Sequence, residues 1–274
     1  MSKLTRAQFE ARLLSLKQVF RAANPSGNPP GLDDFFNFRQ MDLSGLDLTE
    51  LDLNWCDFSG SNLKGTCFSH SDLCFSIFKN AKLHHTYFNK SNLESANFEG
   101  CNLSKVDFTG IDARYSNFKN ATIALSYLEH SNFSFADLSN LNICDSKLEY
   151  ACFFHANLQG TSLIHSSFSY ADFNFAQLDG LKLVLNPCFP FDMAFTKNTN
   201  SKILGMTVYG FDYPLYFYPN SDLFIIGDVS YTLTQWENGD LRGYNNDEKF
   251  FQFWEKNKNS VLDLFYIQRK GEKQ

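Results

Sequence analysis

The sequence predicts an all-β solenoid, a square coil that turns every five residues, with a helical cap before it and a small α+β segment after it. Three observations predict it. Apolar residues recur at every fifth position from Leu43 to Leu183, 29 times without a break in register. The residue two places before each is Ser, Thr, Ala or Cys in 22 of these units, and the residue between is Asp or Asn in 17. The chain also carries 30 phenylalanines in 274 residues at a mean hydropathy of only -0.30, so the rings must be spaced apart by polar neighbours.

In chain order, residues 1–40 form the N-terminal cap. A helix is expected from about Lys3 to Ala23, with Leu4, Phe9, Leu13, Leu16 and Phe20 on or near one face. Asn24, Pro25, Gly27, Pro29, Pro30 and Gly31 then break it. Met1 to Phe20 carries charges throughout, and no window reaches the roughly 18 consecutive apolar residues of a membrane span, so neither a signal peptide nor a membrane span is expected.

Residues 41–185 are the repeat. A period of five fits neither the 3.6 of a helix nor the alternation of a strand. It requires a backbone that bends after every unit, turning one small and one large side chain inward and three residues outward. Four units close a square, so residues n and n+20 lie above one another at about the 4.8 Å strand spacing. The large residue fills the axis, the small one fits beside the next coil, and Asp or Asn can hydrogen-bond backbone amides at the turn. One coil buries four large side chains at roughly 2 kcal/mol each. Ordering its backbone costs at least about 1 kcal/mol per residue, so coils must stack and be capped.

Units such as Ala96-Asn97-Phe98-Glu99-Gly100 and Ala136-Asp137-Leu138-Ser139-Asn140 resemble the pentapeptide-repeat family, whose pattern is A(D/N)Lxx. The resemblance implies a right-handed quadrilateral β-helix of about seven coils. It covers about half of the chain, and Phe36 and Phe38 fit the same register as an extra, imperfect unit. Inward columns exchange Leu for Phe between residues 113 and 138, which keeps the core volume nearly constant; Ala113 is short of volume and predicts a small void or a local narrowing.

The outward columns carry whatever specificity exists. One reads Trp55, Phe75, Ser95, Tyr115, Phe135, His155, Phe175, with Phe154 one residue earlier; the equivalent column on the next face is Gly60, Asn80, Gly100, Asn120, Asn140, Gly160, Gly180. The second suits turns with unusual backbone angles. The first is either a ladder covered by a terminal segment, a second copy or a foreign partner, or a set of stacked rings that stiffens one face. Trp55, Phe75, Tyr115, Phe135, Phe154, His155 and Phe175 are the candidate partner-binding residues.

Residues 186–274 form a C-terminal capping or interaction segment. Pro187 and Pro190 end the repeat; strands are expected around Ile203 to Tyr209, Leu215 to Tyr218 and Leu223 to Val229, and a helix from Asp247 to about Gln268.

Composition narrows the function. A net charge of -6 with no basic run disfavours direct nucleic-acid binding. Seven cysteines, an odd number in a chain of this size, point to reduced thiols in a cytosol. The six histidines never recur at a spacing of 20, and no phosphate loop or nucleophile set accompanies the aspartates, so no enzyme, metal or cofactor is expected. The family resemblance implies a bacterial protein; some members mimic B-form DNA and bind type II topoisomerases, protecting gyrase from quinolones. Residues 41–185 carry 16 acids and 9 bases. Over roughly 34 Å of rod that is about a third of the charge density of duplex DNA. Asp42, Asp47, Glu50, Asp52 and Asp57 also crowd at one end. The expectation is a cytoplasmic, non-enzymatic scaffold holding an unidentified protein partner along an outward face or on the C-terminal segment. A DNA-mimic modulator of gyrase, a homodimer and a translocated effector acting as an adaptor in a host cell are the alternatives.

Overall fold

The computed structural model describes residues 4–24, 35–168, 170–178, 180–184, 206–209, 215–218, 223–226 and 229–232, together with Gln252, Glu255 and Lys256. Within it the repeat coils into a four-sided β-solenoid of about seven turns with parallel strands. Every bridge from Asp42↔Asn62 to Asn157↔Gln177 joins residues twenty apart. Strands β1 (Phe36–Asn37) and β2 (Cys56–Asp57) obey the same rule, Phe36↔Cys56, so the imperfect first unit does belong to the coil.

The repeat chemistry follows from finding a partner for each N–H of a five-residue unit. The central residue donates to the coil above, as from Leu43 N to Asn62 O at 2.9 Å, and the residue before it to the coil below, as from Asn62 N to Met41 O at 2.9 Å. The fifth residue also donates upward, as from Gly45 N to Lys64 O at 2.8 Å. In many units the fourth donates to an Asp or Asn two residues back: Ser59 N to Asp57 Oδ1 at 2.8 Å, Glu99 N to Asn97 Oδ1 at 2.9 Å; Cys74 N reaches instead to Asn54 Oδ1 in the coil below at 2.7 Å. The small inward residue closes the turn, as from Ser61 N to Phe58 O at 3.0 Å. Where the turn is wider, as at Leu51, Val106 and Ser126, that N–H instead donates to the hydroxyl of Ser71, Ser126 or Ser146 in the next coil, each at 3.1 Å. Asp, Asn and Ser are thus the side chains that complete the backbone accounting.

The axis is filled by rings. Phe38, Phe58, Phe78, Phe98 and Phe118 stack along one face, with Phe78 and Phe98 4.6 Å apart at 6°. Phe68, Phe88 and Phe108 stack along the opposite one. The two stacks meet edge to face, as between Phe78 and Phe88 at 5.5 Å and 88°, the arrangement the ring quadrupole favours. At the exchange of Leu for Phe, Phe118 meets Phe133 edge on at 5.6 Å, and Ala113 is fully buried.

Helix α1 (Arg6–Ala23) starts three residues later than expected. The reason is a capping box: Thr5 Oγ1 accepts from Gln8 N at 3.3 Å and Gln8 Oε1 accepts from Thr5 N at 2.9 Å. Phe9 is fully buried and stacks on Phe38 at 4.4 Å, so the helix closes the open end of the ring stack. Lys17 pairs with Asp52 at 2.7 Å, Arg6 with Asp47 at 3.1 Å, and Arg39 with the buried Asp57. Three of the five crowded acids are therefore held in ion pairs within the chain.

Strands β3 (Asn102–Ser104), β4 (Thr122–Ala124), β5 (Asn142–Cys144), β6 (Ser162–Ile164) and β7 (Leu181–Val184) form one face, and the sheet continues past the repeat. Strand β8 (Met206–Tyr209) pairs in parallel with β7. Strands β9 (Leu215–Tyr218), β10 (Leu223–Ile226) and β11 (Val229–Thr232) then add antiparallel. The run expected as one strand to Val229 is two, because β10 and β11 form a hairpin with Ile226 opposite Val229. The intervening Gly227 and Asp228 are residue types that two-residue hairpin connections favour. Most of the expected C-terminal helix lies outside the described residues; Gln252, Glu255 and Lys256 are helical.

Candidate functional site: an outward aromatic ladder

Every fifth residue from Gln40 to Gly180 sits at φ between +48° and +69°, twenty-two of them without being glycine. The sequence suggests such angles for the Gly/Asn column, but all four columns adopt them, because every unit turns through a left-handed fifth residue whether the turn is tight or wide. Trp55, Phe75, Tyr115, Phe135, His155 and Phe175 all occupy this left-handed conformation. For bulky side chains that is locally unfavourable by about 1–2 kcal/mol each. Ring stacking offsets part of the cost, at about 0.5–1.5 kcal/mol per pair.

The structure brings these residues into two stacks rather than one. Trp55 lies on Phe75 at 4.3 Å and 11°. Tyr115, Phe135, His155 and Phe175 form the second stack, with successive centroids 5.1, 5.2 and 4.8 Å apart and planes within 12°. Phe154 stands edge on to Phe135, His155 and Phe175 at 5.8, 4.6 and 5.4 Å, buttressing that stack from the side. Ser95 leaves the row between the stacks without a ring. Trp55 is partly buried on the core and meets Phe35 at 5.7 Å, so the N-terminal segment covers the first rung. Phe75, Phe135 and Phe175 stay 40–43% exposed and Tyr115 55%.

The sequence reading missed a second, shorter ladder on the neighbouring column. His130, Tyr150 and Tyr170 stack at 4.9 and 4.8 Å with planes within 4°, and both tyrosines are exposed. The signal was the same step of twenty residues.

The other chemistries find no assembly. Among the described residues no three His, Cys, Asp or Glu side chains come together to hold a metal ion, and the six of the seven cysteines that lie among them are free. Burial pushes the Cys101 thiol up to about 11 and that of Cys56 higher still, which disfavours the thiolate. No helix among the described residues is long and apolar enough to cross a membrane.

The family models agree with the fold. "Pentapeptide repeat region" matches residues 36–108 and 51–132, and "Pentapeptide repeats (8 copies)" matches 124–160 and 151–183, together more than half of the chain. The chain belongs to the pentapeptide-repeat family. No curated protein matches it significantly. Among solved structures it is similar to trypsin-treated QnrB1, a plasmid-mediated fluoroquinolone resistance protein. That match has 18% identity, covers 61% of this chain and 90% of that one, and has a TM-score of 0.45. It is also similar to HetL, a pentapeptide repeat protein involved in heterocyst differentiation regulation from the cyanobacterium Nostoc sp. strain PCC 7120, with 17% identity, 76% and 98% coverage, and a TM-score of 0.28. A third is a pentapeptide repeat protein of the Arabidopsis thaliana thylakoid lumen, with 21% identity, 57% and 76% coverage, and a TM-score of 0.16.

Proposed function

We propose that this pentapeptide-repeat protein is a non-enzymatic scaffold whose aromatic ladder holds a protein partner. One observation supports the reading above others: exposed rings, which the repeat pattern does not demand, stand in a row at positions where every unit takes a left-handed conformation. A packing role would be met at lower local cost by the Gly and Asn of the next column, whereas contiguous exposed apolar surface is a common mark of a contact. Affinity capture with the full chain, compared with Phe75→Ser/Phe135→Ser, tests it. The expected result is specific loss of a captured protein while the circular dichroism spectrum is kept; unchanged capture removes the ladder from consideration.

The gyrase-mimic reading is disfavoured by the ion pairs of Asp47, Asp52 and Asp57, which take charge from an already dilute rod. In a supercoiling assay with gyrase, with and without ciprofloxacin, the protein is expected to leave activity unchanged at micromolar concentration. Inhibition or protection would reinstate the mimic.

A further inference from the structure

We infer that the gap at Ser95 is a slot for one arginine guanidinium supplied by the partner, an inference that rests on the ladder being a protein contact and names its chemistry. Phe75 and Tyr115 are two coils apart, about 9.6 Å at the usual strand spacing. Elsewhere in the ladder that interval holds a ring, with neighbours 4.3–5.2 Å away. Here it holds a serine, so the interval between the rungs of Phe75 and Tyr115 lacks the ring that fills it elsewhere. Tyr115 is accordingly more exposed than Phe75, Phe135 or Phe175.

Charge selects the kind of planar group. The face that bears the ladder carries Asp52, Asp72, Glu94, Asp112 and Asp172 against two cations, the Lys17 of α1 on Asp52 at 2.7 Å and Arg114. Arg114 is already committed, to Glu94 Oε2 at 3.0 Å and Asp112 Oδ2 at 2.8 Å. Glu94 directly precedes Ser95, and Glu94 and Asp112 together outweigh the Arg114 they share, so a net negative charge remains beside the slot. A guanidinium is flat, stacks on ring faces from both sides and matches a carboxylate in its own plane; an ammonium is drawn to a ring face and a carboxylate too, but as a compact, strongly hydrated point charge it cannot lie flat between two rings. A neutral aromatic ring would fit the space and ignore the charge.

The test uses the full chain, isotope-labelled, titrated with N-acetyl-arginine amide while NMR follows Phe75, Ser95 and Tyr115. Saturable shifts centred on those residues are expected, with at least fivefold weaker binding of N-acetyl-lysine amide and N-acetyl-tyrosine amide. Ser95→Phe fills the slot in a conformation that Phe75 and Phe135 already adopt, and abolishes the shifts; Ser95→Asn keeps the slot open and retains them. Equal response to lysine, preference for tyrosine, or undiminished binding by Ser95→Phe overturns the proposal. A slot blind to arginine, alongside partner capture still lost in Phe75→Ser/Phe135→Ser, overturns the slot and leaves the ladder reading standing, so the two fail separately.

Discussion

At the scale of single residues, the inward hydroxyls are not interchangeable. Ser71 Oγ donates to Leu48 O at 2.7 Å and accepts from Leu51 N at 3.1 Å, so Ser71→Ala leaves a buried carbonyl and a half-buried amide short of a partner. A loss of about 1–3 kcal/mol is expected in urea unfolding. Ser91 occupies the same position in its unit, yet its buried hydroxyl has no partner, and Ser91→Ala is expected to be neutral or stabilising. Equal losses in both variants would show that the hydroxyls act only through volume. The Asp, Asn and small positions were legible in the sequence because each has one local duty, repeated in every coil. Which hydroxyl accepts an amide from the coil below was not, because that depends on whether the turn there is tight or wide.

At the scale of elements, α1 is a plug matched to the end of a ring stack. Phe9→Ala removes the ring on Phe38 and is expected to cost about 3–5 kcal/mol, seen as early loss of protection at Phe36 and Phe38 in hydrogen exchange. Global unfolding unaffected by this change would mean that the cap is dispensable. The helix also responds to acid. The Thr49 hydroxyl and amide, and then Arg6, hold the Asp47 carboxyl below its usual range. A depressed carboxylate contributes stability above its unfolded value of about 3.9, and that contribution is lost as pH falls through the folded value. In Asp47→Asn the acid limb of the stability profile below about pH 4 should therefore be shallower than in the parent. The helix, its apolar face and its role as a cap were readable from periodicity. The ion pairs that fasten it were not, since Arg6 and Asp47 are 41 residues apart and meet only when the first coil has closed.

At the scale of the whole molecule, the twenty-residue rule makes coils modular. Deleting residues 76–95 removes one full turn and places Phe75 directly beneath Tyr115, so the protein should fold, unfold cooperatively and carry one continuous ladder without the Ser95 slot. Deleting only residues 76–80 rotates every later unit by one face, which breaks all four outward columns and the match of the ring stacks. Circular dichroism and thermal unfolding distinguish the two; equal stability would contradict the fixed four-sided register. The sequence by itself determined this register, the inward and outward faces, and the column in which the rings fall, because a strict period maps directly onto position when every unit repeats the same local turn. Only the tertiary structure decided that the column divides at Ser95 into two stacks, that Phe154 braces one of them, and that the sheet runs on from β7 into the antiparallel strands of the C-terminal segment. Those features arise from contacts between coils and across element ends, where the orientation of a ring or the choice of an edge depends on neighbours that no local pattern specifies.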